Sequence, residues 1–409
     1  MKNKTAFGRP LRELWAVALV LALCGVAIAY GRSGAPRYRR YSSGPSAYVR
    51  YEKATVLEVE REDLHRDPAT GLDLGYQIVR LRILSGEHRG ETLAVKNTLG
   101  YVGNVKARPG AQLVVCVDTA DSTNYNVWIY SHDRGPFLYL FVGLFIALLC
   151  LVGGRRGVRS VLGILVTFTG IAFLFIPLLY RGYSPAFAAL GMAVLTICVS
   201  LVLLGGLSAK TLSAILGSLS GVALSALSLV LALSATHLSG FSTGESDALI
   251  QIAGATGMRV GELLFAAILI SSVGAIMDMA ISVASAVNEV HQTDGALTAG
   301  ALFRSGMNVG RDMMGTMANT LIVAFTGTSL NMLVLLHSMQ VSYRQLVDNN
   351  AIDIYVIQAI SGSISVILTV PLVSAASAYL IPAVSRRRRA EGRGASGRAA
   401  EGVQQVALP

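Results

Sequence analysis

Two stretches hold nearly all the side chains that could do chemistry: SSVGAIMDMAISVASAVNEV, residues 271–290, and FRSGMNVGRDMMGTMANT, residues 303–320. Both are apolar enough to cross a membrane, yet they carry Asp278, Asn288, Glu289, Asn308, Arg311, Asp312 and Asn319. Asp278, Ser282, Ser285 and Glu289 follow one another at steps of four, three and four, which lines them along one helix face. Asn308, Asp312, Thr316 (or Gly315) and Asn319 repeat that spacing. A carboxylate in hydrocarbon costs at least ~2.5 kcal/mol, so it normally faces a partner, a cavity or a function. Three chemistries compete. The faces line an ion or solute path with Asp278 as a proton or cation site; or they form a network of bonds that holds two helices in register; or Asp278 and Asp312 are catalytic acids. The third is disfavoured. The two aspartates fall at different depths, and Arg311 stands where the GxGD motif of intramembrane aspartyl proteases needs a glycine.

The elements that must position these residues are membrane spans. Of 409 residues, 53% are hydrophobic and 14% charged, against roughly 25% charged in an average soluble protein. Long uncharged runs account for the difference. Spans are expected at 14–30, 136–152, 158–180, 185–206, 212–236, 261–289, 312–337 and 354–383, eight in all. With a rise of ~1.5 Å per residue, an inward-running sixth span puts Asp278 about two-thirds of the way across and Glu289 at the inner boundary. The seventh span begins on that side after the loop containing HQTDG, so the two are expected as antiparallel neighbours. That alignment predicts a Glu289–Arg311 ion pair, an Asp278–Asn319 contact, and Asp312 capping the start of span seven.

The formal charge of +10 comes from Lys and Arg at span ends and in the C-terminal tail, which suits orientation and lipid contact rather than nucleic acid. Arg155, Arg156, Arg159, Lys210, Arg304, Arg311 and Arg386–Arg389 all fall on one side if the spans alternate, and the positive-inside rule makes that side the cytoplasm. Both termini are then cytoplasmic. Residues 1–30 read as a retained signal-anchor, although Ala27-Ile28-Ala29 resembles a cleavage site. Residues 31–47 are a Gly-, Ser-, Pro- and Arg-rich linker. Residues 48–134 alternate apolar and polar positions over five short runs, the pattern of a small antiparallel barrel of OB or SH3-like type, placed outside the cytoplasm. Residues 135–384 make a seven-span membrane domain, and 385–409 a disordered basic tail. The fold class expected is therefore a mostly α polytopic membrane protein with an extracytoplasmic β domain.

The fifth span carries a second signal. Ala214, Ser218, Gly221, Ser225, Ser228 and Ala232 form a small-residue seam suited to close helix packing. Residues 244–260 suit a short interfacial amphipathic helix, and Pro371 is expected to kink the last span. His237, Glu245 and Asp247 read as a solvated loop. There is no phosphate-binding loop, no H-E-x-x-H and no Cys/His cluster at zinc spacing. No enzyme activity, cofactor or metal is expected.

IPLLYRGYSP, LLGGLSAKTLSAILGSLSG, GAIMDMAISVASAVNEV and FRSGMNVGRDMMGTMANTLIVAF occur in this order, and together they resemble the YibE/F family of bacterial multi-span membrane proteins. The resemblance covers about residues 136–381 and implies a bacterial plasma-membrane location without lending a substrate or a site. The function expected from the residues is a permease-like role for a small solute or ion. The alternative is a non-transporting scaffold or assembly factor whose barrel binds a partner. The lipid bilayer is the expected partner, with a protein partner or further copies of the chain beside it. No inverted repeat stands out, which weighs against transport.

Overall fold

Alternating burial along five strands builds the first unit. In the computed structural model, which describes residues 8–33, 48–119 and 125–406, these are β1 (Val49–Arg66), β2 (Asp73–Ile83), β3 (Thr92–Leu99), β4 (Gln112–Asp118) and β5 (Asn126–His132). Residues 34–47 of the expected linker lie outside the described residues. The strands pair antiparallel in the order β3-β2-β1-β4-β5. Inward residues Ala54, Val56, Val79, Leu81, Ile83, Leu113, Val115 and Val117 make its core. β1 serves both halves of the sheet, and irregularities after Val56 and Val59 bend it between them. The sheet is a half-barrel whose edges approach each other. The Tyr125 hydroxyl, just before β5, donates to Glu91, just before β3, and the His88 ring stacks on Tyr125 at 3.9 Å. That bond pushes the Tyr125 hydroxyl up to about 12.

The same unit, Arg39–Val152, includes the start of α2 (Gly135–Gly170). Asp133 joins strand to helix. One of its oxygens accepts from Lys53 at 2.7 Å and the other from the Gly135 amide at 3.1 Å, where an anion suits the helix N-terminus. From Gly135 to Val152 the helix is apolar and exposed.

The second unit, Met1–Tyr38 with Gly153–Pro409, is helical. It holds α1 (Gly8–Ser33), the rest of α2, a π-helical turn (Ile171–Phe175), α3 (Ile176–Tyr180), α4 (Pro185–Gly205), α5 (Ala209–Thr236), α6 (Ser246–Thr256), α7 (Leu263–Thr293), α8 (Ala299–Thr328), α9 (Leu330–Ser338), α10 (Tyr343–Val347) and α11 (Asn350–Val406). Among the described residues five helices are long and apolar enough to cross a membrane, or six if α8 and α9, bent by 59°, make one span. The chain is a multi-pass membrane protein.

The last span organises this unit: α11 packs against α5, α7 and α8. Two glycine pairs let α5 and α8 come close to it. A Cβ on Gly217 would stand 2.1 Å from Val373 Cγ2 and 2.9 Å from its Cα, and one on Gly221 2.2 Å from Thr369 Oγ1. On α8, a Cβ on Gly310 would stand 2.1 Å from Val370 Cγ1, and one on Gly306 2.7 Å from Ser374 Oγ. Both pairs are spaced four apart, the small-xxx-small arrangement that brings helix backbones together in lipid. Within the α5 seam Ala214, Ser218, Gly221 and Ser225 are buried, while Ser228 and Ala232 are half-buried.

Two boundaries differ from those expected. Span seven begins at Ala299, with the Thr298 hydroxyl accepting from Ala301 N, so Asp312 lies mid-helix and caps nothing. α11 passes Pro371 and Pro382 as one helix. It also runs to Val406, where a disordered tail was expected, because Ala and Arg are strong helix formers and extend a helix already nucleated.

Gly217→Leu and Gly310→Leu should each destabilise the protein by about 1–3 kcal/mol through overpacking, read as a lower Tm in detergent. Gly191→Leu, where a Cβ meets nothing within 4 Å, should leave Tm unchanged. Acid should loosen the strand–helix junction. The Lys53 hydrogen bond, helped by the Gly135 amide, holds the Asp133 carboxyl below the usual range against partial burial. Its stabilisation is therefore complete above the unfolded value of about 3.9 and lost as pH falls from there through the lower folded value. Near-ultraviolet circular dichroism of Lys53→Met should show less of that acid loss than the wild-type chain.

Candidate functional site

α7 buries Ile268, Leu269, Ile276, Met279, Val283 and Val287 on one side. The stripe opposite is small and polar: Ser271, Gly274, Asp278 and Glu289 are exposed, with Ser282, Ser285 and Asn288 half-buried. α8 divides the same way. Leu302, Gly306 and Gly310 are buried, whereas Asn308, Arg311, Asp312, Gly315, Thr316 and Asn319 are exposed. The spacing thus defines two real faces, and both point out of the bundle.

The side-chain pairs expected between them do not form. Ser271 accepts from Gln358 Nε2 at 3.1 Å, and further along both helices Ile276 and Thr369 meet at Gly221, so α7 and α11 run parallel. Gly306 and Gly310 meet Ser374 and Val370 in reverse order, so α8 runs antiparallel to both. A Cβ on Gly306 would also lie 2.9 Å from Val287 Cγ2, which fixes the register of α7 against α8. Counting along each helix from there, Glu289 is level with Arg304 rather than Arg311, and Asp278 with Gly315 rather than Asn319. Glu289–Arg311 is not an ion pair, and Asp278 and Asn319 share no hydrogen bond among the described residues. The reason is the early start of α8. Residues expected in a loop are its first turns, which slides its polar face by about one to two turns.

The buried polar centre lies on α11, where sequence reasoning did not look. Ser361, Ser363, Ser365, Thr369, Ser374 and Ser377 are all buried. Ser363, Ser365 and Thr369 donate to carbonyls four residues back, at 2.8, 2.5 and 2.7 Å. The hydroxyls of Ser374, Ser377 and, on α5, Ser218 have no partner among the described residues. Ser361, Ser365, Thr369 and Ser377 recur at multiples of four, and that spacing was the available signal. Among the described residues no three His, Cys, Asp or Glu side chains gather as metal ligands.

Both glycine pairs and both polar faces lie within residues 141–383, which match a family profile described as YibE/F-like protein. The chain belongs to the YibE/F-like family. The match covers more than half of the chain and stops short of the β domain, so the membrane unit is what defines a YibE/F-like protein here. No curated protein and no solved structure matches the chain.

In this YibE/F-like chain the polar faces make, among the described residues, no bond that holds α7 to α8, so Asp278→Asn and Glu289→Gln should change unfolding stability by no more than about 0.5 kcal/mol. A larger drop in Tm for either would show that these side chains brace the bundle.

Proposed function

We propose that the protein is a permease-like carrier of a small solute or ion in the bacterial plasma membrane, with the exposed faces of α7 and α8 lining its path. One observation carries this. Asp278 stands exposed on a membrane helix, amid serine and glycine and without a partner among the described residues, while glycine packing against α11 fixes the helices. A carboxylate left in lipid costs at least ~2.5 kcal/mol, so its surroundings in the membrane are water or protein. A second copy of the chain supplies the missing wall. Glu289 and Asp312 beside Arg304 and Arg311 make a face complementary to itself.

Eight crossings belong to the same proposal. Gly135–Tyr180 has 46 residues, long enough for two crossings of a ~30 Å core, and its helix breaks at Gly154, where φ is 52°. α1 adds one. Val20 and Cys24 bury against Val166 and Leu203, and Arg181 donates to Tyr30 O at 3.0 Å and to Ser33 Oγ at 3.1 Å. Those contacts support retention of the first span. They also put its end on the same side as the loop at residues 181–184, as alternation requires. On that side too, Ser184 donates to Glu262 at the entry to α7. With this alternation the basic loops and both termini lie in the cytoplasm. The approach of β3 to β5 supports closure of the OB type.

Proteoliposomes carrying a pH-sensitive dye test the path. Under an imposed potential the wild-type protein should move protons, and Asp278→Asn, folded and of the same oligomeric size, should not. Equal flux from the two would leave the path without its central group and sink the proposal.

A further inference from the structure

On the outer face of the β sheet three aromatic side chains stand clear of the core: Tyr51, Trp128 and Tyr130 are each at least 40% exposed. They form one patch. Tyr51, Cys116 and Trp128 are neighbours across β1, β4 and β5. The Tyr130 ring, two residues along from Trp128, meets Tyr51 edge-on with centroids 4.9 Å apart at 70°. Cys116 lies buried beneath them. Aromatic rings of this size normally turn inward in a small β domain, and here the inward positions of β1, β4 and β5 already belong to its core.

The patch borders the place where the chain enters the membrane. β5 ends at His132 and α2 begins at Gly135, so Tyr130 is five residues and at most about 18 Å of chain from the helix start. Lys53 leaves the same face of β1 as Tyr51, two residues on, and binds Asp133 at 2.7 Å. Asp133 holds the Gly135 amide in turn, at 3.1 Å. The helix end is therefore tied to the very face that carries the rings. Beyond it Phe137, Tyr139, Phe141 and Phe145 are exposed, as lipid-facing residues of a span would be.

We propose that the outer face of β1, β4 and β5 lies in the headgroup layer of the bilayer that α2 crosses, with Tyr51, Trp128 and Tyr130 as its anchors. Tyr and Trp suit that layer because each has an apolar body and a polar tip, and they concentrate at membrane–water boundaries. Exposed Arg134, between β5 and α2, suits the phosphates of the same layer. Lipid fits better than a protein partner because the tether to α2 keeps the bilayer within reach of the patch at all times.

Trp15 and Trp128 are the only tryptophans in the sequence, so Trp15→Phe makes the emission report on the patch alone. The full chain is placed in vesicles of phosphatidylcholine brominated on its acyl chains near the glycerol, and separately in unbrominated vesicles. Loss of Trp128 emission in the brominated vesicles, with little quenching by aqueous iodide, is the expected result. It should weaken in the Tyr51→Ser/Tyr130→Ser double variant. Emission indifferent to bromine overturns the proposal in either of two ways: quenching by iodide would mean a patch open to water, and protection from both would mean one covered by protein, including a second copy. Should Trp15→Phe fold poorly, the difference between wild type and Trp128→Phe gives the same reading.

Discussion

Close approach of three helix backbones around residues 369–374 of α11 is the constraint on which the membrane unit depends. Lipid tails are as apolar as leucine, so no hydrophobic force drives one span onto another, and contact area must come from fit. Gly217 and Gly221 supply it on one flank and Gly306 and Gly310 on the other, each pair one turn apart. The remaining features follow. α7 is seated behind α11 with Ile276 against Gly221 and Val287 against Gly306, and its register is fixed by those same glycines. Because apolar and small residues do the holding, polar side chains are left free to face elsewhere.

Serine in this unit divides into two uses. Along α11, Ser363, Ser365 and Thr369 fold their hydroxyls back onto their own helix and so are packed like small apolar residues. Ser282 and Ser285 on α7 are only half-buried and sit in line with two carboxylates. A hydroxyl that satisfies itself is compatible with a dry contact. A carboxylate is not, since it has four acceptor positions and no donor of its own.

Much of this was legible in the sequence, and the errors share a cause. The strands of the β domain and the polar faces of α7 and α8 follow from periodicity, which belongs to a single element. Pairings between elements do not, because they depend on where each helix begins. Arg304 and Arg311 resemble loop residues on a hydropathy scale, yet both lie inside α8, which starts at its Thr298 cap. Long cationic side chains can extend toward the interface from such a position, so charge alone misjudged the boundary. The α11 serines escaped notice for the opposite reason. Serine scarcely perturbs hydropathy, and only the glycines of α5 and α8, distant in sequence, make its burial visible.

The orientation of the two polar faces narrows what they can be for. Had they been turned toward each other, hydrogen bonds between them would explain them fully, and nothing further would be required. They are turned away, while apolar and glycine contacts already account for the packing of α7 and α8. A side chain that adds nothing to the fold and is costly in lipid must be stabilised in the assembled protein by something outside this bundle. For Asp278, on a stripe of Ser271, Gly274 and Ser282, the small neighbours leave room for that something to come close to the backbone. Water or a polar protein surface meets that requirement, and an acyl chain does not.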